Sequence, residues 1–246
     1  MNNTELWLRY FKTNAKVRRI NWCQIPRINH AELALVLKSL QAWQLGETSE
    51  GIHLMEVSQR HAEKFKDDLY PEVVKLFIKE EQKHGANLGL YLDLIGEERI
   101  KYNWGDSLFR SVRYFMTSME IWTMAVLTVE SAAQIFYQAL KDATACPLLK
   151  EICTDILIDE AAHIRFQYER MTLVFNHKSK SLQFIATLVY RCFFWLTIRV
   201  IWFDHKAVFV AGGLDRALFI DKMNLKYRKT FGRLAQTDLL TTTLKI

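Results

Sequence analysis

The chain has 246 residues, half of them apolar and 13% aromatic, with only three prolines and nine glycines. So few breakers argue against a disordered or strand-rich chain and for long helices around a sizeable core. A net charge of +6 permits an anionic partner without requiring one, and four cysteines with no Cys-x-x-Cys pair argue against a disulfide frame or zinc finger and suit a reducing, cytoplasmic setting.

In chain order, a short helix is expected from about Thr4 to Arg19, and the first twenty residues show no basic-then-apolar export pattern. Pro26 and Asn29 then punctuate. A long helical stretch follows over 29–65, with Trp43, Leu54, Val57, His61 and Phe65 at helical spacing. Gly46 and Gly51 weaken it locally, by roughly 1 kcal/mol each relative to alanine. Pro71 suits the first turn of a next helix, and Gly96 its end. A further helix is expected from Gly105-Asp106-Ser107 to about Asp142, another from Pro147 to Asn176, and a fifth from Ser181 to Gly212-Gly213. A basic amphipathic segment, about 214–233, closes the series; its default reading is a solvated helix face.

The fifth helix contains QFIATLVYRCFFWLTIRVIWF, long enough to cross a bilayer. Arg191 and Arg199 argue against insertion, each costing about 2.5–3.5 kcal/mol near a bilayer centre. The expectation is therefore a buried helix, packed on the bundle or against a second subunit of a homodimer, with both arginines partnered inside the protein; the alternative is a helix lying on a membrane.

Two segments carry the chemistry. In FIKEEQKHG, Glu81 precedes His84 by three positions, and in LIDEAAHIRF, Glu160 precedes His163 by three. Residues three apart share a helix face, so carboxylate and imidazole can reach one cation together. A di-iron site in a four-helix bundle takes one such pair from each of two helices and a lone glutamate from each of the other two. Glu50 stands 31 positions before Glu81, and Glu130 stands 30 before Glu160, so the two half-sites repeat at about 80 residues. Glu130 lies in MAVLTVESAAQIFYQAL, where a carboxylate is costly unless paired or metal-bound. Glu50 shares a helical stripe with Trp43, Leu54 and Val57; Glu47 lies one turn earlier on nearly the same stripe, Glu56 points off it, and His53 reads as an ordinary histidine. Tyr137, Tyr168 and Cys153 read as core residues near the site.

This arrangement resembles the ferritin-like superfamily of di-iron carboxylate proteins, which includes bacterioferritin, rubrerythrin, the acyl carrier protein desaturases and the ribonucleotide reductase small subunit. EEQKHG is similar to the first Glu-x-x-His of the desaturases. LGETSEG, FIKEEQKHG and LIDEAAHIRFQ resemble a family of uncharacterised bacterial ferritin-like proteins. The resemblance covers about Ala31 to Asn176 and implies an all-α fold: a ferritin-like four-helix bundle with a short N-terminal helix and two additional C-terminal helices, in one domain over 1–246. It implies two iron ions, or an iron–manganese pair, bridged by Glu81 and Glu160. His84 and His163 would each bind one ion, and Glu50 and Glu130 would complete the shells. The motifs name the metal site better than a reaction; the expected function is an O2-dependent oxidase or oxygenase acting on a small organic substrate, because the added fifth and sixth helices could roof a pocket and an apolar interior would shield it from water. The alternatives are an iron-handling ferroxidase or storage protein, a tRNA-modifying hydroxylase, and a non-catalytic bundle stabilised by metal. No aromatic-and-basic surface points to nucleic acid.

Overall fold

The computed structural model describes residues 3–114 and 117–234, with the side chains of 112–114 left aside. Among the described residues there are ten helices and no strand. They are α1 (Asn3–Asn14), α2 (His30–Gly46), α3 (Ile52–Phe65), α4 (Tyr70–Leu94), α5 (Trp104–Tyr114), α6 (Met119–Ala143), α7 (Pro147–Asn176), α8 (Lys180–Ala211), α9 (Arg216–Lys229) and the single turn α10 (Phe231–Leu234).

Local chemistry sets most boundaries. The Asn29 side chain accepts from the Glu32 amide at 2.9 Å and starts α2. Pro71 and Pro147 sit in the first turns of α4 and α7, where a missing N–H costs nothing. The stretch expected as one helix over 29–65 is instead broken between α2 and α3. Gly51 adopts φ +69 there, a conformation that costs a glycine little. The helix expected from Gly105 to Asp142 also divides. Ser118 caps a fresh helix, α6, and residues 115 and 116 between the two parts lie outside the described residues.

Helices α2, α4, α6 and α7 form the bundle. Helices α1 and α3 pack on α4, α8 lies along α6 and α2, and α9 packs back on α6 and α8. Buried Ala125, Ala132, Ala133 and Ala139 keep α6 slim where its neighbours approach. Gly212 marks the tightest of these approaches, although its place at the end of α8 suggests only a helix stop. A Cβ there would stand 2.3 Å from the Ala139 carbonyl oxygen and 2.6 Å from its Cα, both backbone atoms that cannot swing aside. Gly212→Ala should therefore destabilise by about 3 kcal/mol, a fall in Tm of roughly 6–12 °C for a chain of this size by thermal melt. An unchanged Tm would show that α8 does not seat on α6 in this way.

Helix α8 is long and apolar enough to cross a membrane by length and composition, yet only 22% of its most apolar window is buried. Tyr190, Phe194, Ile198, Trp202 and Val208 pack inward, while Phe184, Leu196 and Phe203 on the outer face are exposed. The expectation of a buried helix thus holds for one face only. Arg191 and Arg199 are exposed, and neither forms a hydrogen bond or ion pair with another described residue.

Candidate metal centre

Each bundle helix contributes acidic groups to one interior point. Glu81 and His84 come from the middle of α4, Glu130 from α6, and Glu160 and His163 from α7. From α2 the contributor is Glu47, the residue that closes the helix. Ligand atoms of Glu47, Glu81, His84 and Glu160 all lie within 4.8 Å of one another, and so do those of Glu81, Glu130 and His163. The two groups share Glu81, and Glu160 Oε2 lies 4.0 Å from His163 Nδ1, so both glutamates of the Glu-x-x-His pairs stand between the halves.

Glu50, the residue expected from α2, is exposed and outside this cluster. The stripe that placed it assumed an unbroken helix, but α2 ends at Gly46 and residues 47–51 run as a loop across α4. Gln82 Nε2 donates to the Ser49 carbonyl at 3.1 Å, and Gly85 lies so close under the loop that a Cβ would stand 3.1 Å from the Glu47 carbonyl carbon. His53 and Glu56 pair with each other at 3.4 Å, away from the cluster.

The supporting shell repeats the symmetry of the ligands. Glu80, just before Glu81, has Oε2 2.8 Å from His163 Nε2. Asp159, just before Glu160, has Oδ2 3.1 Å from His84 Nε2. Each half-site's acidic residue therefore holds the imidazole of the other half. With Nε2–H donated to a carboxylate, each Nδ1 lone pair is left for the cluster. Asn14 of α1 donates to both Glu80 and Asp159, at 2.5 and 2.8 Å, and Arg19 and Lys83 neutralise Asp159 from outside. Tyr137 donates to Glu47 Oε1 at 2.8 Å, so it is a partner of the site as well as a core residue. Tyr168 is half-buried against the core and Cys153 is buried. The Glu-Glu and Asp-Glu doublets were the visible sign of this shell, since neighbours on a helix point about 100° apart.

The electrostatics are those of a site built for cations. Burial pushes Glu47 and Glu160 well above the usual carboxylate range, and Glu81 adds to both. Burial does the same to Glu130, partly opposed by His163. Burial would raise Glu81 too, but His163 and His84 hold it near 2. Burial would lower His163, and the Glu81 and Glu80 carboxylates push it well up instead. Both oxygens of Glu130, Oε2 of Glu160 and Nδ1 of His84 are buried with no hydrogen-bond partner. Orphaned polar groups of this kind are rare in a dry interior. Four carboxylates and two imidazoles, with no thiolate among them, suit two divalent ions such as iron or manganese, whose charge would balance the four glutamates.

A pH dependence follows for the metal-free protein. Glu47, Glu130, Glu160 and His163 all have raised folded values, so each holds its proton more tightly folded than unfolded. Their stabilising contribution is complete below the unfolded values and is lost as pH rises through the folded ones. Glu81 acts oppositely between about 2 and the ordinary 4.5, and His61 and His205, which burial lowers to about 4, act oppositely up to their ordinary 6.5. The Tm of the metal-free protein should therefore fall from about pH 6.5 to pH 8, and added metal should raise it most at pH 8. A metal-free Tm that climbs over this range would contradict the assignment.

A cavity of about 140 Å³ opens beside the four glutamates. Trp43, Leu54, Phe77, Trp122, Val126 and Val129 wall it, and Glu47, Glu81, Glu130 and Glu160 form its floor.

No protein-family model and no curated protein matches the chain. Solved structures do. Variants of an R2-like ligand-binding oxidase with a reconstituted Mn/Fe cofactor superpose with TM-scores of 0.66, 0.67 and 0.69. Each is 16% identical, and the match covers 93% of this chain and 93–94% of theirs. The likeness extends through the C-terminal helices as well as the bundle, and at this identity it is a likeness of fold.

Proposed function

We propose that the protein is a di-metal carboxylate oxidase that uses O2 to oxidise a small, largely apolar organic molecule held beside its metal pair. The observation that carries this reading is the joining of site and cavity: three buried glutamates and the half-buried Glu81, a set suited to cations, form the floor of a pocket with aromatic and aliphatic walls. The similarity in fold to R2-like ligand-binding oxidases that carry Mn/Fe supports it.

Glu81 and Glu160 would bridge the two ions. Glu47 and His84 would complete one shell, and Glu130 and His163 the other. When bound and reduced, such a pair supplies electrons to dioxygen. The protein's own part is to orient and shield. Glu80 and Asp159 lock the two imidazoles, each with Nδ1 inward. Tyr137 fixes one carboxylate oxygen of Glu47 and leaves the other for a cation. Trp43, Phe77 and Trp122 favour an apolar substrate over water at the cavity wall, which limits wasteful side reactions.

Ferrous titration of the metal-free protein under air tests the reading against iron storage. Oxidation should saturate near two ions per chain, without mineral, and the loaded protein should then consume O2 repeatedly when given an electron donor and an apolar substrate. Uptake of tens of irons per chain would sink the oxidase proposal.

A further inference from the structure

We infer that α8 and α9 form a docking surface for an anionic phospholipid bilayer, on which the protein lies without crossing it. The first observation is apolar exposure. Leu182, Val189, Leu196, Phe203 and Val210 recur every seven residues along α8, and each is half or more exposed. Phe184, Ile185 and Leu188 widen the stripe, with Phe184 at 67%, Leu196 at 62% and Phe203 at 69% exposure. Monomeric proteins rarely leave a continuous apolar patch of such length uncovered.

The second observation is charge. Residues 178–233 hold eleven lysines and arginines against three aspartates, a net +8, while the rest of the chain holds 22 against 24. The whole positive balance of the protein therefore sits on the segment that carries the apolar stripe. Arg199 and Lys206 are exposed on one flank of the α8 stripe, three positions after Leu196 and Phe203; Arg191 is exposed further round the helix, and none of the three forms an ion pair with another described residue. On α9, Leu218, Lys222, Leu225 and Lys229 are all exposed, and their three- and four-residue spacing puts them on one stripe.

Apolar side chains flanked by long cationic ones are what an interfacial helix presents to lipid: the first sink toward the acyl boundary and the second reach phosphate. The seven-residue repeat alone would equally suit a helix of a second copy. Charge decides against that, because self-pairing would bring two +8 segments together. Nucleic acid would answer the charge but leave the phenylalanines and leucines uncovered. Transmembrane insertion is excluded by the inward face of α8, whose Tyr190, Phe194, Ile198 and Trp202 are packed in the core.

The test is co-sedimentation of the full, metal-loaded chain with vesicles of phosphatidylcholine alone or mixed 7:3 with phosphatidylglycerol. Binding should be at least tenfold stronger to the mixed vesicles and should weaken at least tenfold in high salt. Phe184→Ser combined with Leu196→Ser and Phe203→Ser, and separately Lys222→Glu with Lys229→Glu, should each reduce binding at least tenfold with an unchanged Tm. If the serine variant proves unstable, the glutamate pair carries the test alone. No binding to mixed vesicles, or binding that both variants leave intact, overturns the proposal. Light scattering that shows a dimer dissolved by the serine variant also overturns it, in favour of a second copy on this face.

Discussion

Glu81→Ala or Glu160→Ala should leave the protein with well under one metal ion per chain, against about two in the unaltered protein. Glu81 belongs to both halves of the cluster and Glu160 lies 4.0 Å from His163 of the other half, so on the proposed assignment removing either would take a carboxylate from both cations at once. The remaining ligands cannot close the gap, because His84 and His163 are held back by Asp159 and Glu80. Metal analysis after desalting reads the result. A melt of the metal-free forms separates loss of the site from loss of the fold. Burial makes a charged Glu160 unfavourable without metal, so Glu160→Ala should melt no lower than the metal-free parent at pH 8. Full metal occupancy in either variant would falsify the bridging assignment.

The second large effect separates two residues three positions apart. Glu47→Ala should lose one or both ions, while Glu50→Ala should keep both with an unchanged Tm. Glu47 is buried at the end of α2, its Oε1 bound by Tyr137, within reach of Glu81, His84 and Glu160. Glu50 is exposed on the loop that follows. Removing Glu47 also strips the buried Tyr137 hydroxyl of its acceptor, a cost of about 1–3 kcal/mol in the metal-free state. Metal analysis of the two variants side by side decides between them. Loss of metal in Glu50→Ala with retention in Glu47→Ala would return the ligand to the position that helical spacing alone indicates.

Helical spacing brings the other five residues into the cluster and leaves Glu50 outside it, and the reason is local order. Glu81, His84, Glu130, Glu160 and His163 lie deep within helices of 25 and 30 residues, where three positions always mean one face. Glu47 closes α2, and beyond Gly46 the rule of 3.6 residues per turn no longer applies. The same dependence on continuity explains the break at Ser118, where an N-cap restarts the helix inside what reads as one run.

The sequence by itself determined the all-helical class, the starts of α4 and α7 at Pro71 and Pro147, and the two Glu-x-x-His faces, because these depend on backbone chemistry and neighbours within one turn. Only the tertiary structure decided which glutamate of the Gly46–Gly51 stretch turns inward, since that rests on how a loop seats over Gly85 of another helix. It alone joined Glu80 to His163 and Asp159 to His84 across 83 and 75 residues. It alone, too, showed that α8 buries one side and leaves the other bare. An apolar helix carries no mark in its own sequence of how many neighbours will cover it, because burial is a property of the packing and not of the strand of residues that enters it.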